Sequence, residues 1–96
     1  MRTTPIERGR QTKRWAICTG AGASAETLKE VREKKIDTLI VGEGPHWTAV
    51  YAEETELAII YAGHYATETF GVRAVGRELE QRFGVETTFV DVANPV

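Results

Sequence analysis

Asp37-Thr38-Leu39-Ile40-Val41-Gly42 and Leu57-Ala58-Ile59-Ile60-Tyr61-Ala62-Gly63 decide the fold of this chain. Each is a short apolar run that stops at glycine. A run of that length between breakers reads as a buried strand. Upstream, Arg14-Trp15-Ala16-Ile17-Cys18-Thr19 repeats the pattern and stops at Gly20. Amphipathic segments lie between the runs. Residues 24–35 place Leu28 and Val31 on one side and Glu26, Lys29, Glu30, Arg32, Glu33 and Lys34 on the other. That is a helix, with Ser24 suited to cap it. Pro45 suits the first turn of a second helix, whose buried face is read from Trp47, Val50 and Tyr51. A long third helix runs from the Gly63 break to about Phe83, with Val72, Val75, Leu79 and Phe83 on one stripe and Gly84 at the C-cap. Residues 86–92, rich in Thr, Val and Phe, read as a fourth strand. The order βαβαβαβ predicts an α/β fold with a mainly parallel four-stranded sheet flanked by helices.

The 96 residues suit one small domain, 14–96, preceded by a polar arm or linker over residues 1–13. A chain this short buries only roughly 60–65% of its unfolded surface, so support from a partner or a further domain is expected. The composition is 42% hydrophobic and 27% charged, with a net charge of −2. That balance is globular and does not suit a nucleic-acid binder, although Arg2, Arg8, Arg10, Lys13 and Arg14 cluster near the start. No apolar run is long enough to span a membrane, and the polar N-terminus is not a signal peptide. Cys18 is the single cysteine, which fits a reducing, cytoplasmic setting.

Parallel α/β folds bind ligands beyond the carboxyl ends of their strands. Three loops fall there: Gly20-Ala21-Gly22-Ala23-Ser24, Gly42-Glu43-Gly44-Pro45-His46, and Gly63 through Glu68. Both histidines and two carboxylates, Glu43 and Glu68, share that edge. His64 and Glu68 stand four apart, so they occupy one face of a helix that starts near His64. Mixed imidazole and carboxylate donors suit Zn, Fe or Mn. A plain helical His–Glu hydrogen bond fits the same spacing. Glu43 and His46 are candidates for a supporting or substrate-contacting role, or ordinary loop residues. Gly20, Gly22 and Ser24 could cradle a phosphate, or form a tight turn that lets strand and helix pack closely. The loop lacks the third glycine of a dinucleotide fingerprint and the lysine of a P-loop.

Four elements carry a resemblance: Ala16-Ile17-Cys18-Thr19-Gly20-Ala21-Gly22-Ala23-Ser24, Val41-Gly42-Glu43, Gly63-His64-Tyr65-Ala66-Thr67-Glu68 with Gly71-Val72, and the closing Asn94-Pro95. In this order the chain, from about Ile6 to Val96, resembles the C-terminal half of the Nif-three-like dinuclear metal-centre proteins, the GTP cyclohydrolase I type 2 family. The resemblance implies that this is half of a larger two-lobed fold. It implies that His64 and Glu68 are metal ligands and that Glu68 is the catalytic carboxylate between two divalent ions. It implies a metal-dependent hydrolase acting on a nucleotide or another phosphate-containing small molecule. It also implies a homo-oligomer, and further ligands from an N-terminal half or another copy of the chain. Residues 1–13 hold no histidine to replace those ligands. A fold kept as a non-catalytic oligomerisation or protein-interaction module is the competing expectation.

Overall fold

The computed structural model describes residues 1–92; Asn94-Pro95 of the closing element lies outside the described residues. Strands β1 (Arg2–Thr3), β2 (Trp15–Cys18), β3 (Thr38–Val41) and β4 (Ala58–Tyr61) form one sheet in the order β1-β4-β3-β2. Helices α1 (Ala25–Glu33) and α2 (His46–Glu54) connect β2 to β3 and β3 to β4, and α3 (His64–Phe83) follows β4. The three central strands are parallel and in step. Cys18 pairs with Val41, and Val41 with Tyr61, so all three end at one level.

The core follows from strand alternation. Leu39, Val41 and Ile59 point to one face and meet Leu28 and Val31 of α1 and Ala52 of α2. Leu39, Val41, Ile59 and Ala52 are essentially inaccessible. Ser24 caps α1 as read, its hydroxyl accepting the Thr27 N–H (3.2 Å). Gly84 ends α3 in the left-handed region (φ +64°), its N–H bonded to the Glu80 carbonyl (3.0 Å).

Three expectations change. The sheet has four strands and is mainly parallel, but the fourth is not 86–92, which forms no strand. That segment runs back along α3 instead: Thr87 bonds Glu80, Arg73 stacks over Phe89, and Tyr65 bonds Asp91. A strand needs a hydrogen-bonding neighbour strand, and these partners of the segment all stand on a helix. The fourth strand is Arg2–Thr3, antiparallel to β4, inside the stretch read as an arm. Its two residues are too few to show any periodicity. The following segment is tethered as well. The Asp37 carboxylate accepts the N–H groups of Lys13 and Arg14 (2.9 Å each), and Arg10 bonds Thr38 Oγ1 (3.1 Å). The remaining corrections concern apolar stripes. Thr48 and Ala52 are the buried residues of α2, while Trp47 and Val50 are exposed. In α3 only Thr67 is buried, and Val72, Val75, Leu79 and Phe83 face solvent.

Two apolar surfaces are therefore uncovered. One is the stripe of α3. The other is the β2 side of the sheet face opposite α1 and α2, where Trp15 and Ile17 are 61% and 55% exposed, whereas Thr38 and Ala58 in register with Trp15 are buried. Parallel sheets are normally covered on both faces. The radius of gyration, 16.0 Å, exceeds the roughly 12.5 Å of a compact chain of this length.

The core and the α3 stripe should respond differently to truncation. Ile59→Ala should cost about 2–5 kcal/mol in urea denaturation of this chain. Val75→Ser should stay within about 0.5 kcal/mol. Equal costs would place the α3 stripe in the core.

Candidate metal centre

The equal ends of β2, β3 and β4 bring their three loops together. The contacts are largely backbone. Glu43 N–H donates to Gly20 O (2.8 Å), Gly63 N–H to Gly42 O (2.9 Å) and Ala23 N–H to Glu43 O (3.3 Å). Such backbone approach leaves no room for a side chain at Gly42, and the cluster's own side chains fill the space beside Gly20. A Cβ on Gly42 would strike Gly20 O and lie 2.8 Å from His64 Cα. One on Gly20, whose φ is +66°, would strike Glu68 Oε1 and lie 3.1 Å from His64 Nε2.

Thr67 fastens α3 to this edge. Its Oγ1 accepts the Gly20 N–H (3.0 Å), and its hydroxyl hydrogen is shared between the carbonyls of Gly63 (2.9 Å) and His64 (3.1 Å). Thr67 is 7% exposed. The sequence alone assigns it no role. The available signal was a small polar residue three positions after His64, on the inward side of the helix.

His64 is at the centre of the cluster. Its Nδ1 lies 2.8 Å from Glu43 Oε1, and its Nε2 lies 3.2 Å from Glu68 Oε1. The expected i,i+4 pair is therefore formed, with Glu43 on the opposite ring nitrogen. The Glu43 hydrogen bond, helped by the charge of Glu68, lifts the His64 pKa above its ordinary 6.5; desolvation opposes this and is outweighed. Both carboxylates stay about half exposed, so the cluster is open to ligands.

The other candidates sit around this cluster. His46 opens α2 and lines a cleft of about 640 Å³ with Arg2, Thr3, Tyr61 and His64. Ser24 is occupied as the α1 cap. Gly22 packs on the Cys18 carbonyl, where a Cβ would clash. The N–H groups of Gly20, Ala23 and Ser24 bond Thr67, Glu43 and Gly22. The first loop thus has the close packing of a tight turn.

The donor chemistry of the pair fits a metal ion. Nitrogen and oxygen donors bound at about 2.0–2.2 Å, at tetrahedral to right angles, stand roughly 3.0–3.4 Å apart. The Nε2 to Oε1 distance of 3.2 Å lies in that range. Among the described residues no group of three His, Cys, Asp or Glu side chains could hold a metal ion. Glu43 is turned to Nδ1, away from the Nε2 side, and so does not complete one.

Residues 2–95 match the family described as Duf34/NIF3 (NGG1p interacting factor 3). The chain belongs to this family. It is 44% identical over 81 residues to a protein from Pyrococcus abyssi named GTP cyclohydrolase 1 type 2 homolog, covering 84% of this chain and 31% of that protein. A Pseudomonas aeruginosa protein of the same name is 37% identical over 90 residues, covering 94% and 35%. Among solved structures, "protein ybgI, unknown function" superposes with a TM-score of 0.75 at 34% identity, covering 85% of this chain and 32% of that one. Reduced HcgD from Methanocaldococcus jannaschii gives 0.65 at 33% identity, covering 75% and 29%. The chain spans about a third of the length of the curated relatives it matches. Among the described residues no helix is long and apolar enough to cross a membrane.

Two measurements check the cluster. Thr67→Val leaves the buried Gly20 N–H without an acceptor and should cost about 1–3 kcal/mol in urea denaturation. In an NMR titration of the metal-free chain, His64 should reach its midpoint above 6.5. Because the folded value is raised, the stabilisation from His64 is complete below about pH 6.5 and is lost as pH rises through the folded value. A midpoint at or below 6.5 would contradict the Glu43–His64 contact.

Proposed function

We propose that this chain is the metal-binding third of a dinuclear-metal-dependent hydrolase whose substrate is a nucleotide or another phosphate-containing small molecule. The observation that carries the reading is the Nε2–Oε1 pair at the carboxyl edge of the sheet. Family membership and the shared name GTP cyclohydrolase 1 type 2 homolog support the reaction class.

His64 would hold one ion through Nε2. Glu68 has two carboxylate oxygens and would serve that ion and a second. Zn, Fe and Mn suit this donor set. When bound, such ions supply Lewis acidity and activate water near neutral pH. The chain's own residues do the positioning. Gly20 leaves the space that Glu68 occupies, and Thr67 fixes the start of α3, on whose first two turns both ligands stand. The cleft lined by Arg2 and His46 opens beside His64 and gives a substrate its approach.

A catalytic metal usually has three protein ligands or more. The remaining donors come, in this reading, from the rest of the family fold or from a second copy of the chain. The exposed Trp15 and Ile17 of the sheet and the α3 stripe support this, since each needs a cover. These same surfaces favour the second reading, an oligomerisation or interaction module without catalysis.

Metal content separates the two readings. In a full-length protein bearing this segment, His64→Ala and Glu68→Ala should each reduce bound metal by elemental analysis and abolish hydrolysis. Full metal retention in both variants would remove the assignment. Failure of the unmutated protein to hold metal, together with a defined oligomer in sedimentation, would establish the module.

A further inference from the structure

We infer that Glu43 is a positioning residue: it holds the His64 imidazole in its Nδ1–H tautomer and so leaves Nε2 as the donor facing Glu68. The inference rests on the metal-binding reading for its purpose, but its geometry stands alone.

A neutral imidazole has one N–H, and which nitrogen carries it is set by the partner of that nitrogen. His64 has a carboxylate on each side, and a carboxylate can only accept. With one proton to share, the better hydrogen bond keeps it. Nδ1 to Glu43 Oε1 is 2.8 Å, the length of a charge-assisted bond. Nε2 to Glu68 Oε1 is longer, 3.2 Å. The proton therefore stays on Nδ1. The lone pair of Nε2 then points to the side where Glu68 Oε1 stands.

Glu43 is built for this task. An exposed loop carboxylate would ordinarily sample many positions. Here both backbone polar groups of Glu43 are fixed to the first loop, through Gly20 O and Ala23 N–H. The flanking glycines make that seat accessible. Gly42 lies against Gly20 O, and a Cβ on Gly44 would strike the Ala23 methyl. The seat and the ligand are thus supplied by two different loops, joined through a third. In metal sites a carboxylate on the far ring nitrogen both orients the ligand and raises its basicity. Glu43 stands in that relation to His64 and Glu68. It would not itself touch the ion.

The test uses the 96-residue chain, metal-free and at alkaline pH, where the imidazole is neutral. The readout is the nitrogen-15 spectrum of His64, which distinguishes the tautomers. The unmutated chain should show Nδ1–H. Glu43→Gln retains an acceptor oxygen and should keep that tautomer. Glu43→Ala should lose it, reverting toward the Nε2–H form that free histidine prefers. Removal of a merely structural contact would leave the tautomer unchanged. The inference is overturned by Nε2–H in the unmutated chain, or by Nδ1–H persisting in Glu43→Ala. A parallel Zn²⁺ titration in the full-length protein should show about 10–100-fold weaker binding for Glu43→Ala and a smaller loss for Glu43→Gln. Zn²⁺ affinity unchanged in Glu43→Ala would also overturn it. No Zn²⁺ binding by the unmutated protein would instead strike the metal reading and leave the tautomer result as the judge of Glu43.

Discussion

The close approach of three backbone loops beyond β2, β3 and β4 is the constraint on which the rest of the structure depends. It follows from register, because three parallel strands of equal length finish together. It is possible because Gly42, between the other two loops, has no Cβ to strike the Gly20 and His64 backbone. Backbone bonds from Glu43 to Gly20 and from Gly63 to Gly42 then join the loops in series. Thr67 closes the arrangement by bonding α3 to Gly20. Side-chain chemistry enters only at the end: the seat made by these contacts presents Glu43, His64 and Glu68 side by side.

Much of this was legible in the sequence because it depends on local signals. Apolar runs stopped by glycine gave β2, β3 and β4. Ser24 and Gly84 marked helix ends by side-chain and backbone preferences that act over a few residues. The His64–Glu68 spacing placed both on one face. What was not legible depends on partners distant in sequence. Residues 86–92 have strand composition, but composition does not supply an edge to pair with. Arg2–Thr3 has no strand signature, yet it finds the open edge of β4. Val72, Val75, Leu79 and Phe83 have the periodicity of a buried face, and periodicity does not say what buries it. Glu43 was placed at the right edge, but its bond to His64 Nδ1 required the loop geometry.

The uncovered surfaces and the donor set give two views of one feature. This chain spans about a third of the length of its curated relatives. The β2 side of one sheet face is open, the last helix contributes little to the core, and among the described residues no group of three side chains could hold a metal ion. A small core with exposed apolar faces folds with limited stability, whereas a covered one gains the burial of those faces. In the proposed reading the same association that covers Trp15, Ile17 and the α3 stripe also brings the missing ligands. Folding and function would then be coupled at a single interface, and the metal would stabilise the complete state by binding only to it.

The central claim is that His64 Nε2 and Glu68 belong to one metal centre. Anomalous scattering from crystals of a full-length protein bearing this segment, grown with Zn²⁺, tests it most directly. The account predicts an anomalous peak within bonding distance of both His64 Nε2 and a Glu68 carboxylate oxygen, with Glu43 on Nδ1. A peak on Nδ1, or Zn²⁺ bound elsewhere with the His64–Glu68 contact intact, would contradict it.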